Sequence, residues 1–176
     1  MNAKKEKIIK MSKILDAFLK IGAILMVMAT ATFIVSIIIA PSLDLTSFSL
    51  DGLVAKTQFN GNISDFRSIM VTFILNSAVI AAILYVASFI FKGISRGNSP
   101  FEKKNAEKIK IISYLMVALG VLVPLLQFLI VYIFIGGIYT SVAINLENIV
   151  FAAVFFCLAL IFEYGAELQQ QSDETL

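Results

Sequence analysis

Histidine is missing from this 176-residue sequence, and cysteine occurs once, at Cys157. Without imidazole there is neither histidine general-base catalysis nor an imidazole metal ligand. A single thiol cannot close an internal disulfide or build a CxxC metal or redox site. Charge is scarce too, with 15% of residues acidic or basic. A formal net charge of +2 gives no reason to expect direct nucleic-acid binding. Also lacking are a glycine-rich phosphate loop, a nucleophile elbow, deep paired carboxylates and metal-ligand spacing. These absences predict a protein that is not an enzyme and carries no cofactor.

What is present is apolar. Hydrophobic residues make up 59% of the chain and its mean hydropathy is +0.92, beyond the range of a soluble domain. The sequence therefore reads as an integral membrane protein in contact with a lipid bilayer. At about 20 residues per crossing there is room for roughly four spans and for no separate catalytic or DNA-binding domain.

The charges mark where the spans lie. No formal charge occurs between Lys20 and Asp44, between Arg67 and Lys92, or between Lys110 and Glu147. The first two gaps each fit one crossing, and the third is too long for one. Gly136-Gly137 followed by Thr140-Ser141 reads as a turn and a helix N-cap that divide it. The expected architecture is an all-α, four-helix transmembrane bundle with spans at about 14–40, 66–93, 109–135 and 142–168.

Orientation follows from lysine and arginine. Six lysines from Lys4 to Lys20 precede or open the first span. Lys92, Arg96, Lys103, Lys104, Lys108 and Lys110 lie between the second and third, so 12 of the 14 basic residues fall on one side. The positive-inside rule places that side, and both termini, in the cytoplasm. The basic segment ahead of Ile21–Ala40 reads as an uncleaved anchor, because the apolar run is too long for a secretory signal. A short extracytoplasmic loop, about 41–65, joins spans one and two, and its Asp51-Gly52 and Asn60-Gly61 pairs favour tight turns.

Three segments invite closer reading. Ile8, Met11, Leu15 and Phe18 share a helical face apart from Lys5, Lys10 and Lys13, so the N-terminus either lies in the membrane interface or continues span one into the cytosol. Ser99-Pro100-Phe101-Glu102 has the form of a capping box with proline at the first helical position, which predicts a helix from Pro100 through Lys103, Lys104 and Lys108. Those lysines serve topology, or dock an anionic lipid or acidic partner. Glu163 and Glu167, four apart on span four, stand near Lys20, Lys92 and Lys110, so ion pairs between span ends are expected.

Inside the spans, Asn76, Gln127 and Asn145 either bond between helices or line a substrate path. Pro124 should kink span three or free a carbonyl near Gly120. Cys157 fits a small core residue.

The segment Phe91-Lys92-Gly93-Ile94-Ser95-Arg96-Gly97-Asn98-Ser99-Pro100-Phe101-Glu102 with Asn105, and the segment Ile161–Gln169 followed by Asp173 and Thr175, resemble the signature blocks of a bacterial membrane family catalogued as domain of unknown function 2975. The resemblance covers nearly the whole chain, and the tail departs from it at Gln170, Gln171 and Glu174. It implies four spans in the bacterial cytoplasmic membrane. It also implies a non-enzymatic regulator or sequestering partner of a cytoplasmic helix-turn-helix transcription factor. It directs attention to Asn98, Phe101, Asn105, Glu163, Gly165, Glu167 and Gln169, which with Lys103, Lys104 and Lys108 form a candidate partner surface. The competing reading is a small transporter, channel subunit or peptide-immunity protein. Four helices are too few for a monomeric pore, so that reading predicts a homo-oligomer.

Overall fold

The computed structural model describes residues 3–39, 63–135 and 144–174. The two tight-turn pairs of the 41–65 loop, Gly136-Gly137 and Thr140-Ser141 lie outside them. Helix α1 spans Ala3–Ile39, α2 Ile63–Ser95, α3 Lys103–Val117, α4 Val123–Ile130 and α5 Leu146–Glu174. Wide π turns at Ala118–Leu122 and Val131–Ile135 flank α4, so α3, α4 and these turns build one continuous third span. No strand occurs among the described residues. Four helices are long and apolar enough to cross a bilayer, and the chain is a multi-pass, all-α membrane protein.

Helix α1 is a single unbroken helix of 37 residues. At 1.5 Å per residue it is roughly 55 Å long, far more than the bilayer's hydrocarbon core of about 30 Å. The apolar stretch from Ile21 to Ile39 is long enough for that core, and the turns before it continue the same helix. Lysine and alanine are good helix formers, so nothing in this segment interrupts the helix.

Helix α1 lies along α2, α3 lies against α5, and the two pairs meet where α2 touches the third span. One core cluster joins Ile83, Ile90 and Ile94 of α2 to Ile109, Ile112, Leu119 and Val123 of the third span and Ala159 of α5. A second joins Phe66, Ile69 and Met70 of α2 to Phe33 and Ile37 of α1. There the rings of Phe33 and Phe73 stack with centroids 5.0 Å apart. Phe18, Ile24 and Ile38 on α1, and Phe151, Val154 and Ile161 on α5, are exposed. In lipid these faces meet a solvent as apolar as themselves, so helix association rests on close packing and hydrogen bonds instead.

Small hydroxyl residues provide both. Ser77, Ser88 and Ser113 are buried, and each returns its hydroxyl to its own helix. Thr30 Oγ1 and Ser77 Oγ also approach to 2.8 Å, bonding α1 to α2.

Pro124 acts through its missing N–H. The carbonyl of Gly120 has no i+4 donor and accepts instead from the backbone N–H of Asn145 at 3.0 Å. A Cβ on Gly120 would stand 3.0 Å from the Asn145 carbonyl oxygen and 3.1 Å from Ile149, so the bare backbone lets the start of α5 approach. The freed carbonyl expected from the sequence is thus present, and a neighbouring helix satisfies it.

Asn145 has a second role in the same place. Its contact with the third span is made by its backbone, while its side chain caps α5, Oδ1 accepting from the Asn148 N–H at 3.2 Å. The fourth helix accordingly begins at Leu146 rather than 142.

Candidate partner-binding cleft

The start of α1, the end of α2, the start of α3 and the end of α5 converge at the lysine-rich end of the bundle. Lys5, Ile8 and Ile9 of α1 share a hollow of about 500 Å³ with Ile94, Gly97 and Gln169. The turn from α2 to α3 is built by backbone and side chain together. Gly97 has a φ of 93°, a left-handed conformation that glycine adopts without penalty. Its N–H donates to the Ile94 carbonyl at 3.0 Å, and the next N–H, of Asn98, donates to the Gly93 carbonyl at 3.3 Å. This is a Schellman cap that closes α2 and sends the chain back toward the bundle.

Helix α3 then starts at Lys103, with Glu102 as N-cap, and not at Pro100. The Ser99 hydroxyl is engaged elsewhere than in a capping box. It accepts from the Phe101 N–H at 3.2 Å and donates to Gln169 Oε1 on α5 at 2.6 Å. The Glu102 carboxylate accepts from Asn98 Nδ2 at 3.4 Å.

Asn105 holds this turn from below. It is only 1% exposed, its Nδ2 donating to the carbonyls of Ser99 at 3.4 Å and Pro100 at 3.1 Å. Its Oδ1 accepts from Lys108 Nζ at 3.4 Å. The sequence reading placed Asn105 on the partner surface; the structure places it beneath that surface, because two backbone carbonyls of the loop require its amide.

Phe101 fastens the turn to α5. Its ring lies against Gly165, where a Cβ would stand 2.7 Å from Phe101 Cδ1, and its centroid is 5.2 Å from that of Phe162. Below, Lys110 Nζ lies 3.6 Å from Glu163 Oε2 and 5.8 Å from the centre of the Phe156 ring. Lys20 pairs with Asp16 of its own helix at 2.7 Å, and Lys92 lies over the Phe89 ring rather than a carboxylate. Of the ion pairs expected between span ends, Lys110–Glu163 is the one formed among the described residues. Both partners are about one-third exposed, so its contribution is of the order of 0–1 kcal/mol.

Between the fastened turn and the end of α5 opens a cleft of about 890 Å³. Lys103, Lys104 and Lys108 line it from α3 with Glu102 at the N-cap of that helix, and Glu163, Glu167 and Glu174 line it from α5. Asn98, Gln169 and Gln170 supply amides, while Phe101 and Ala166 supply apolar surface. Eight of the ten partner-surface residues picked out in the sequence line this cleft. The other two, Asn105 and Gly165, support it from beneath. Glu174 and Gln170 were missed, although they continue the Glu163–Glu167 face along the helix.

The intramembrane amides do not come together in the same way. Asn76 Nδ2 donates to the Thr72 carbonyl of its own helix at 2.8 Å, and Asn145 caps α5. Gln127 is half-buried on α4, in register with the buried Leu119, Val123 and Val131. No group of metal-ligating side chains occurs among the described residues.

Comparison with family models, curated proteins and solved structures returns no match. The class of this protein therefore rests on its own residues: a four-helix membrane protein with a polar cleft at its lysine-rich end.

Proposed function

We propose that this is a non-enzymatic bacterial membrane protein that docks a cytoplasmic partner in the cleft at its lysine-rich end, with both termini in the cytoplasm of the cell. The partner implied by the family resemblance is a small helix-turn-helix transcription regulator, held at the membrane and so kept from DNA. The carrying observation is the cleft itself. It gathers, in one open concavity, side chains from two segments separated by some sixty residues of sequence. The hydrogen bonds and ring contacts beneath it keep the cleft in shape without filling it. The positive-inside rule supports the cytoplasmic assignment. Transport has less support, since the side-chain hydrogen bonds of Asn76 and Asn145 are local.

The test is co-purification of the tagged full chain with a co-expressed helix-turn-helix regulator encoded beside it. Lys103→Glu, Lys104→Glu and Lys108→Glu combined should abolish capture. Because those lysines also direct topology, Glu167→Lys is the companion variant; it adds inside charge and is likewise expected to lose the regulator. Capture that survives both changes sinks the proposal.

A further inference from the structure

The two walls of the cleft carry opposite net charge, three lysines with the Asn98-bound Glu102 on one side and three glutamates on the other, yet do not neutralise one another. Lys103 and Lys104 form no ion pair among the described residues, and Lys108 is held by the Asn105 carbonyl oxygen. Across the cleft, Glu167 likewise forms no ion pair, and Glu174 accepts from Gln170 on its own helix. Only Glu163 is paired, and its partner Lys110 lies below the cleft lining. Unmet charges of both signs thus face one concavity. Between them Phe101 is 44% exposed, an aromatic ring beside Ala166 among the charged and amide side chains.

Resting on the docking reading above, we infer that the occupant is a short amphipathic helix with two charged flanks, acidic toward α3 and basic toward α5, and one apolar side chain seated on Phe101. A wholly acidic segment would satisfy the lysines and be repelled by Glu163, Glu167 and Glu174. A wholly basic one would meet the converse. Unfavourable like-charge juxtaposition is what gives such a surface its specificity. The dimensions agree, because Glu163 to Glu174 spans roughly 16 Å of helix, about three turns. Helices lying in grooves are held by apolar anchors at that repeat. Phe101 is the anchor point and the flanking charges set orientation.

The test uses the full chain in phosphatidylcholine nanodiscs, titrated with three labelled helical peptides of equal length and read by fluorescence anisotropy. One carries Glu on one flank of a leucine seam and Lys on the other; the second is all-Glu and the third all-Lys on both flanks. The two-flank peptide should bind at least about tenfold more tightly than either other peptide, and more weakly as salt rises. Lys104→Glu and Glu167→Lys should each weaken it by about tenfold or more.

Turning the peptide end for end exchanges its flanks. The variant that inverts the sign of both walls, Lys103→Glu and Lys104→Glu with Glu167→Lys and Glu174→Lys, should therefore recover binding, which a merely damaged cleft would not do. An all-Glu peptide that binds as tightly as the two-flank one and is indifferent to Glu167→Lys overturns the inference. Binding of none of the three also overturns it, even where the regulator is still captured through the lysines; loss of that capture as well would remove the docking reading itself.

Discussion

Asn105→Ala is expected to cost on the order of 3 kcal/mol and to release the turn that forms one side of the cleft. The side chain is 1% exposed and its amide is the donor for two loop carbonyls, of Ser99 and Pro100. Alanine removes both bonds and provides no replacement. Each carbonyl left without its donor costs about 1–3 kcal/mol where water cannot reach it. Hydrogen–deuterium exchange gives a local reading. The Phe101 N–H, which donates to Ser99 Oγ, should exchange about a hundredfold faster, the factor that corresponds to a loss of this size. The transmembrane amides of α2 should keep their protection. An unchanged Phe101 amide would mean that the Schellman cap at Gly97 and the Ser99–Gln169 bond hold the turn without Asn105.

Gly165→Ala carries the second large effect, and its sign is diagnostic. In a free helix, alanine in place of glycine stabilises by about 1 kcal/mol. Here the added Cβ would stand 2.7 Å from Phe101 Cδ1, closer than carbon atoms tolerate. The ring must leave, losing its packing on α5 and its contact with Phe162, and the expected outcome is destabilisation by about 2 kcal/mol, typical of overpacking. A lower thermal midpoint in detergent is the measurement. Phe101→Ala abolishes the conflict, so adding Gly165→Ala in that background should stabilise the protein, as helix propensity alone predicts. A single variant more stable than the parent would show that Phe101 does not occupy the Gly165 notch.

Both results concern features that the sequence revealed unevenly. The four spans were legible because charge is excluded from the hydrocarbon core, so Lys20, Arg67, Lys92 and Lys110 bound the apolar runs directly. Helix ends were less legible. Nothing at the membrane surface stops α1 or α5 from continuing as helix, and both run past the spans drawn from hydropathy, to Ala3 and Glu174. Ser99 illustrates the harder case. Its spacing to Glu102 is that of a capping box, but its hydroxyl is committed to Gln169, seventy residues away, and the helix starts at Lys103 instead. Local spacing carries no information about such a partner.

Asn145 serves two roles, its backbone N–H bonding the third span and its side chain capping α5. Its depth in the sequence suggested a buried polar contact, although an asparagine followed by Leu146-Glu147 is also an N-cap signal with an acid in the first turn. The cleft itself was legible as a set of residues but not as a shape. That Lys103, Lys104 and Lys108 face Glu163, Glu167 and Glu174 across one opening depends on how α3 leans on α5 through Ile109, Ile112 and Ala159.

A cytoplasmic regulator docked as proposed sits between those two walls. In-cell photo-crosslinking tests this, with a benzoyl-phenylalanine in place of Lys104 in the cleft and, separately, in place of Ile24, exposed within the apolar stretch of α1. A covalent adduct with the helix-turn-helix regulator is expected from position 104 and none from position 24. No adduct at 104, or equal adducts at both positions, would contradict it.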